Sequence, residues 1–128
     1  MFNINWKKVK KKILVIDDEA IITSLIKDSL EFSGYGVITA NSGAEGLRRA
    51  KKYIPDLILL DIRMPLIGGI EVLRRLKQDS ITKNIPVVVI SIVADKYRID
   101  AMRLGAEYSF MKPLDFAFFN RKIPELLN

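Results

Sequence analysis

Five residues have the types that phosphoryl chemistry needs, and each follows an apolar run. Asp17 and Asp18 follow KILVI, Asp61 ends DLILLD, Ser91 ends PVVVIS, and Lys112 ends EYSFMK. Three carboxylates brought together repel one another unless a cation intervenes. A site made only of oxygen donors suits a hard divalent ion such as magnesium or calcium. Metal and lysine together neutralise the equatorial oxygens of a phosphoryl group, a hydroxyl donates to one of them, and a carboxylate attacks in line. Each residue alone has a plainer explanation. An acidic pair after a strand caps the next helix, with Glu19 as a further first-turn acid, a serine in a strand is a satisfied polar atom, and a lysine is a surface charge. Their joint occurrence at strand ends favours the site.

What positions them is a regular alternation. KILVID, GVITA, DLILLD, PVVVIS and EYSFM read as strands. AIITSLIKDSLEFSG, NSGAEGLRRAKKY, GGIEVLRRLKQD, DKYRIDAMRLG and DFAFFNRKIPELL read as the helices that follow them. The first helix has Ile22, Leu25, Ile26 and Leu30 as its apolar stripe and Gly34 as its stop. The second opens with a capping box from Ser42 to Glu45. In the last, Phe116, Phe119, Ile123 and Leu127 form the packing stripe, Phe118 falls off it, and Pro124 is expected to kink or shorten the helix. Strands apolar on both sides predict a doubly wound α/β fold, (βα)₅, with a parallel five-stranded sheet covered on both faces. Ligands of such sheets bind at the carboxyl ends of the strands, where all five residues lie.

Composition removes several alternatives. The 128 residues suit one domain, and 49% hydrophobic with 28% charged residues is an ordinary globular balance. With no cysteine and no histidine there is no thiolate ligand, no Ser-His-Asp triad and no phosphohistidine on this chain. No apolar run is long enough to span a bilayer, and the order of charge and apolar residues at the start is not that of a signal peptide, so a cytoplasmic location is expected. Five of the 21 basic residues (Lys7, Lys8, Lys10, Lys11, Lys12) lie within the first twelve positions, four of them in a leader over residues 1–11, so the net charge of +6 is mostly a basic tail. That leader reads as a solvated segment or linker, with contact to nucleic acid or anionic lipid the alternative.

The motifs ILVIDDE, LILLDIRMP, PVVVIS and RLGAEYSFMKP, with their spacing, resemble the receiver domain of the two-component response regulators over nearly the whole chain. The resemblance implies a flavodoxin-like (CheY-like) sheet of strand order 2-1-3-4-5 across a domain spanning 12–128. It implies Asp61 as phospho-acceptor, and magnesium (or manganese) held by Asp18, Asp61 and the backbone carbonyl of Arg63, with Asp17 acting through a bound water. Ser91 and Lys112 would hold the phosphoryl group, and Pro113 would supply a cis bend. A sensor histidine kinase or histidine phosphotransfer protein would donate the group, in a self-directed reaction rather than as an enzyme with turnover. The downstream partner is not named by the sequence. No DNA-binding domain is expected in this chain, and a homodimer would use the face formed by the fourth helix, fifth strand and fifth helix.

Three positions depart from the family pattern. Gly68 stands where an acidic residue is frequent, and no function attaches to it. Ile92 after Ser91 is larger than usual and would shield the acyl phosphate from water, or simply extend the apolar strand. Ser109 replaces the switch aromatic, while Tyr108 and Phe110 should face the other way. These departures support one alternative function, a degenerate receiver acting as a constitutive docking module. An aspartyl-nucleophile phosphatase is disfavoured by Arg63, where a second aspartate would be needed. NSGAEG is not the dinucleotide-binding glycine pattern either.

Overall fold

The structure, a computed structural model, describes residues 10–92 and 96–127. Most of the basic leader, including Trp6, Lys7 and Lys8, lies outside the described residues. The chain alternates β1 (Lys12–Ile16), α1 (Ala20–Phe32), β2 (Gly36–Ala40), α2 (Gly43–Tyr53), β3 (Leu57–Asp61), α3 (Gly69–Gln78), β4 (Val87–Ile92), α4 (Lys96–Arg103), β5 (Tyr108–Lys112) and α5 (Phe116–Leu126). All paired strands are parallel, in the order β2-β1-β3-β4-β5. This is the flavodoxin-like arrangement expected from the sequence.

The pleat sorts each strand's side chains to two sides. Ile13, Val15, Leu57, Leu59, Val88, Ile90 and Phe110 pack with Ile26, Leu30, Phe119 and Ile123 of α1 and α5. Leu14, Ile16, Ile58, Leu60, Val87 and Val89 pack with Val72, Leu73 and Leu76 of α3, Ala50 of α2 and Ala101 of α4. Because β1, β3 and β4 are buried on both sides, their sequences are continuous apolar runs rather than alternating ones. Tyr108 and Phe110 fall on the α1/α5 side and Ser109 pairs with Val89 on the other, as alternation requires.

Local chemistry sets the helix ends. Ser42 Oγ accepts from the Glu45 amide at 3.2 Å, and Glu45 Oε1 accepts from the Asn41 amide at 2.7 Å. The reciprocal contact thus reaches one residue further back than a standard capping box. Two expectations need correction. Leu25 is 49% exposed, and the buried positions of α1 are Thr23, Ile26 and Leu30. Thr23 takes an inward place because its hydroxyl donates to the carbonyls of Glu19 (3.1 Å) and Asp17 (3.3 Å). Pro124 lies inside α5, which continues to Leu126, so the proline does not end the helix early. Proline there removes one donor close to the helix end, and buried Phe119 and Ile123 hold the last turns to the sheet.

Candidate functional site

Alternation also explains how the site assembles. Asp17 continues the side of Ile13 and Val15, Asp61 that of Leu57 and Leu59, and Lys112 that of Tyr108 and Phe110. All three reach the carboxyl edge of the sheet with the same parity. Lys112 Nζ lies 3.2 Å from Asp61 Oδ1 and 3.5 Å from Glu19 Oε1. Carboxylate oxygens of Asp17, Glu19 and Asp61 all lie within 4.8 Å of one another.

Asp17 divides its two oxygens. Its amide donates to the Ala40 carbonyl at 3.1 Å, fastening the end of β1 to β2. Oδ1 accepts from the Glu19 amide at 2.9 Å, a local turn that leads the chain into α1. Oδ2 is buried without a hydrogen-bond partner. One oxygen therefore does the work of a helix start, and the other is left for a ligand.

Asp61 is 2% exposed, and its carboxyl is pushed up to about 6. Burial is the main cause and the charge of Asp17 adds to it, while Lys112 and the Arg63 amide, which donates to the carboxylate, pull the other way. Burial likewise raises Asp17. For Lys112, burial disfavours the charge, but Asp61, Asp17 and Glu19 outweigh it and the ammonium titrates above its ordinary value. At neutral pH the site holds an ionised Asp61 carboxylate paired to a cationic lysine.

Ser91 lies on the opposite parity, and its buried Oγ has no hydrogen-bond partner. A buried hydroxyl without a partner is costly unless something binds it. Ser109 Oγ is in the same condition one strand away, beside a hollow of about 380 Å³ lined by Arg98, Tyr108, Met111 and Phe118. Ile92 pairs with Lys112 across β4 and β5, is 43% exposed, and shares with it a groove completed by Ile22, Leu25, Pro113 and Phe116. The Lys112–Pro113 peptide bond is cis. Gly69, at the start of α3, is packed so closely that a Cβ there would lie 2.4 Å from the Asp61 carbonyl oxygen.

Asp18, the direct metal ligand that the resemblance implies, is exposed and not among the three clustered carboxylates. Glu19 takes its place in that cluster, a position that sequence reasoning left as a first-turn acid. The only sequence signal for it is its place at the same strand-to-helix corner. Arg63 lines a separate hollow of about 670 Å³ with Met64, Pro65 and Tyr97. The donor set fits a hard divalent cation: it is all oxygen, mutually repelling, and contains a buried carboxylate oxygen with no other partner.

Comparison with known proteins shows the family and the fold. The family model described as response regulator receiver domain matches residues 13–123. The chain is 37% identical over 120 residues to the alkaline phosphatase synthesis transcriptional regulatory protein PhoP of Bacillus subtilis, covering 93% of this chain and 49% of that protein. It therefore spans about half the length of that relative. It is 35% identical to the polar-differentiation response regulator DivK of Brucella ovis, covering 91% of this chain and 96% of DivK. The receiver domain of the sensor histidine kinase PA1611 from Pseudomonas aeruginosa, solved with magnesium coordinated in its active site cleft, superposes with a TM-score of 0.85 at 22% identity. That match covers 93% of this chain and 98% of PA1611's domain, and shows the shared fold. Among the described residues no helix is long and apolar enough to cross a membrane.

Proposed function

Because the chain belongs to the response regulator receiver domain family, a family of signalling domains rather than classical enzymes, we propose that Asp61 accepts a phosphoryl group from a phosphohistidine donor. The observation that carries this reading is the buried Asp61 carboxylate paired with Lys112 at 3.2 Å, beside the unpartnered oxygen of Asp17. A carboxylate oxygen of Asp61 attacks phosphorus, a P–O bond forms as the P–N bond breaks, and the imidazole leaves with the bonding pair. The ionised state of Asp61 at neutral pH supplies the nucleophile. Lys112 then pairs with a phosphoryl oxygen, and Ser91 donates its orphaned hydroxyl to another. Asp17 and Asp61, with Glu19 or Asp18 and the Arg63 carbonyl, would hold magnesium, which would supply positive charge against the phosphoryl oxygens. Attack of water on the acyl phosphate later returns the carboxylate and releases inorganic phosphate.

The phosphoryl group would act by favouring one of two conformations of the domain. The face of α4, β5 and α5 exposes Ile99, Met102, Met111 and Phe118, an apolar set suited to a partner or a second copy. The docking-only alternative draws no support from the paired Asp61 and Lys112 or from the unpartnered buried oxygens of Asp17 and Ser91. Incubation with acetyl phosphate and magnesium should add the mass of one phosphoryl group. The addition should disappear in Asp61→Asn and persist in Asp56→Asn, since Asp56 accepts from the Lys12 amide away from the site. Retained labelling in Asp61→Asn rejects the assignment.

A further inference from the structure

We propose that Glu19 is a positioning residue that competes with Asp61 for the Lys112 ammonium and so sets how tightly the site retains a phosphoryl group. The inference rests on the acceptor reading of Asp61 and adds to it a determinant on a different element. Lys112 Nζ stands between two carboxylates, 3.2 Å from Asp61 Oδ1 and 3.5 Å from Glu19 Oε1. The two partners differ in kind. Asp61 is buried and its oxygen cannot move far, whereas the Glu19 side chain is 61% exposed.

The backbone of Glu19 is held on both sides. Its amide donates to Asp17 Oδ1 at 2.9 Å, and its carbonyl accepts from the Thr23 amide at 3.0 Å and the Thr23 hydroxyl at 3.1 Å. From that fixed root the side chain crosses the mouth of the site to the end of β5, 93 residues along the chain. A phosphoryl group on Asp61 carries more negative charge than the carboxylate it replaces, and Lys112 is the cation placed to meet it. An ammonium shared with Glu19 turns one of its three donors and part of its charge towards that carboxylate, and the phosphoryl group receives less of both. The charge that holds the lysine ready thus also opposes full use of it.

The experiment is a beryllofluoride titration of the full chain, followed by amide NMR, with magnesium held well above each variant's own measured dissociation constant. Glu19→Gln keeps the side chain's length and removes its charge. It should bind beryllofluoride about two- to fivefold more tightly, the scale of a partly exposed ion pair. Glu19→Asp, whose shorter arm reaches Lys112 poorly, should show part of that gain. In a Lys112→Gln background the gain should largely vanish, which a double-mutant cycle reads directly. Unchanged or weaker binding in Glu19→Gln overturns the inference, the weaker case meaning that Glu19 serves a bound cation instead. A full gain without Lys112 overturns it too, since the effect would then be general repulsion. If the wild-type chain itself fails to bind beryllofluoride, and Asp61→Asn behaves the same, it is the acceptor reading that falls.

Discussion

Lys112 Nζ sits 3.2 Å from Asp61 Oδ1, joining the last residue of β5 to the last residue of β3 across the end of β4. The pair is asymmetric: the carboxylate is buried and the ammonium side chain is 22% exposed. Removing the lysine therefore strands a buried charge, while removing the aspartate relieves one. The two deletions should differ in sign.

The pH dependence follows from Asp61, held at about 6 in the fold, against the ordinary value of 3.8. The native state binds the proton more tightly than the unfolded chain. The stability linked to this group is full below about pH 4 and lost as pH rises through about 6. Asp61→Asn should thus stabilise the protein at pH 7.5 by up to about 3 kcal/mol, with the gain fading towards pH 4. Lys112→Ala should destabilise it by about 1–3 kcal/mol at pH 7.5 and by much less at pH 5. Urea unfolding at the three pH values checks both, and a pH-independent effect of either variant contradicts the account.

Relief of carboxylate repulsion by a cation should appear as stability. At neutral pH, magnesium at ten times its dissociation constant adds about 1.4 kcal/mol by mass action. The thermal midpoint should rise with magnesium and fall back on chelation with EDTA. In Asp61→Asn, which removes one of the three clustered carboxylates, the rise should be much smaller. An equal rise in both proteins points to a cation site elsewhere.

Ile92 stands beside Lys112 at the rim of the site, with enough exposed surface to limit water's approach. Ile92→Ala should shorten the half-life of the acyl phosphate threefold or more, a change of about 0.7 kcal/mol in the barrier. Following the decay of phosphorylated protein after donor removal measures this. An unchanged or longer half-life leaves Ile92 as no more than strand packing.

Among the described residues two buried serine hydroxyls lack partners, and they should respond differently to removal. Ser109→Ala deletes an unsatisfied polar atom beside a hollow and should be neutral or stabilising by about 1 kcal/mol in chemical unfolding. It should leave phosphorylation by acetyl phosphate unchanged. Ser91→Ala, similarly benign for the fold, should slow that phosphorylation. Equal effects on the reaction from both variants remove the distinction between them.

Much of this protein was legible in residue order alone. Apolar runs of five or six residues separated by helical periods can bury both sides only as a parallel sheet under helices on each side. Period-two alternation then sends Asp17, Asp61 and Lys112 to the same side of the sheet's edge. What alternation could not decide is how the corner between β1 and α1 is folded, because that depends on contacts made from elsewhere. Ala40 holds the Asp17 amide, Thr23 takes the carbonyls of Asp17 and Glu19, and Lys112 draws in Glu19 from the far end of the chain. Those contacts decided that Asp17 keeps one carboxylate oxygen free of partners and that Glu19, not Asp18, joins Asp61. The position of a residue at a strand end is a matter of spacing, but the direction of a long acidic side chain is settled by the nearest cation, and only the tertiary fold brings that cation near.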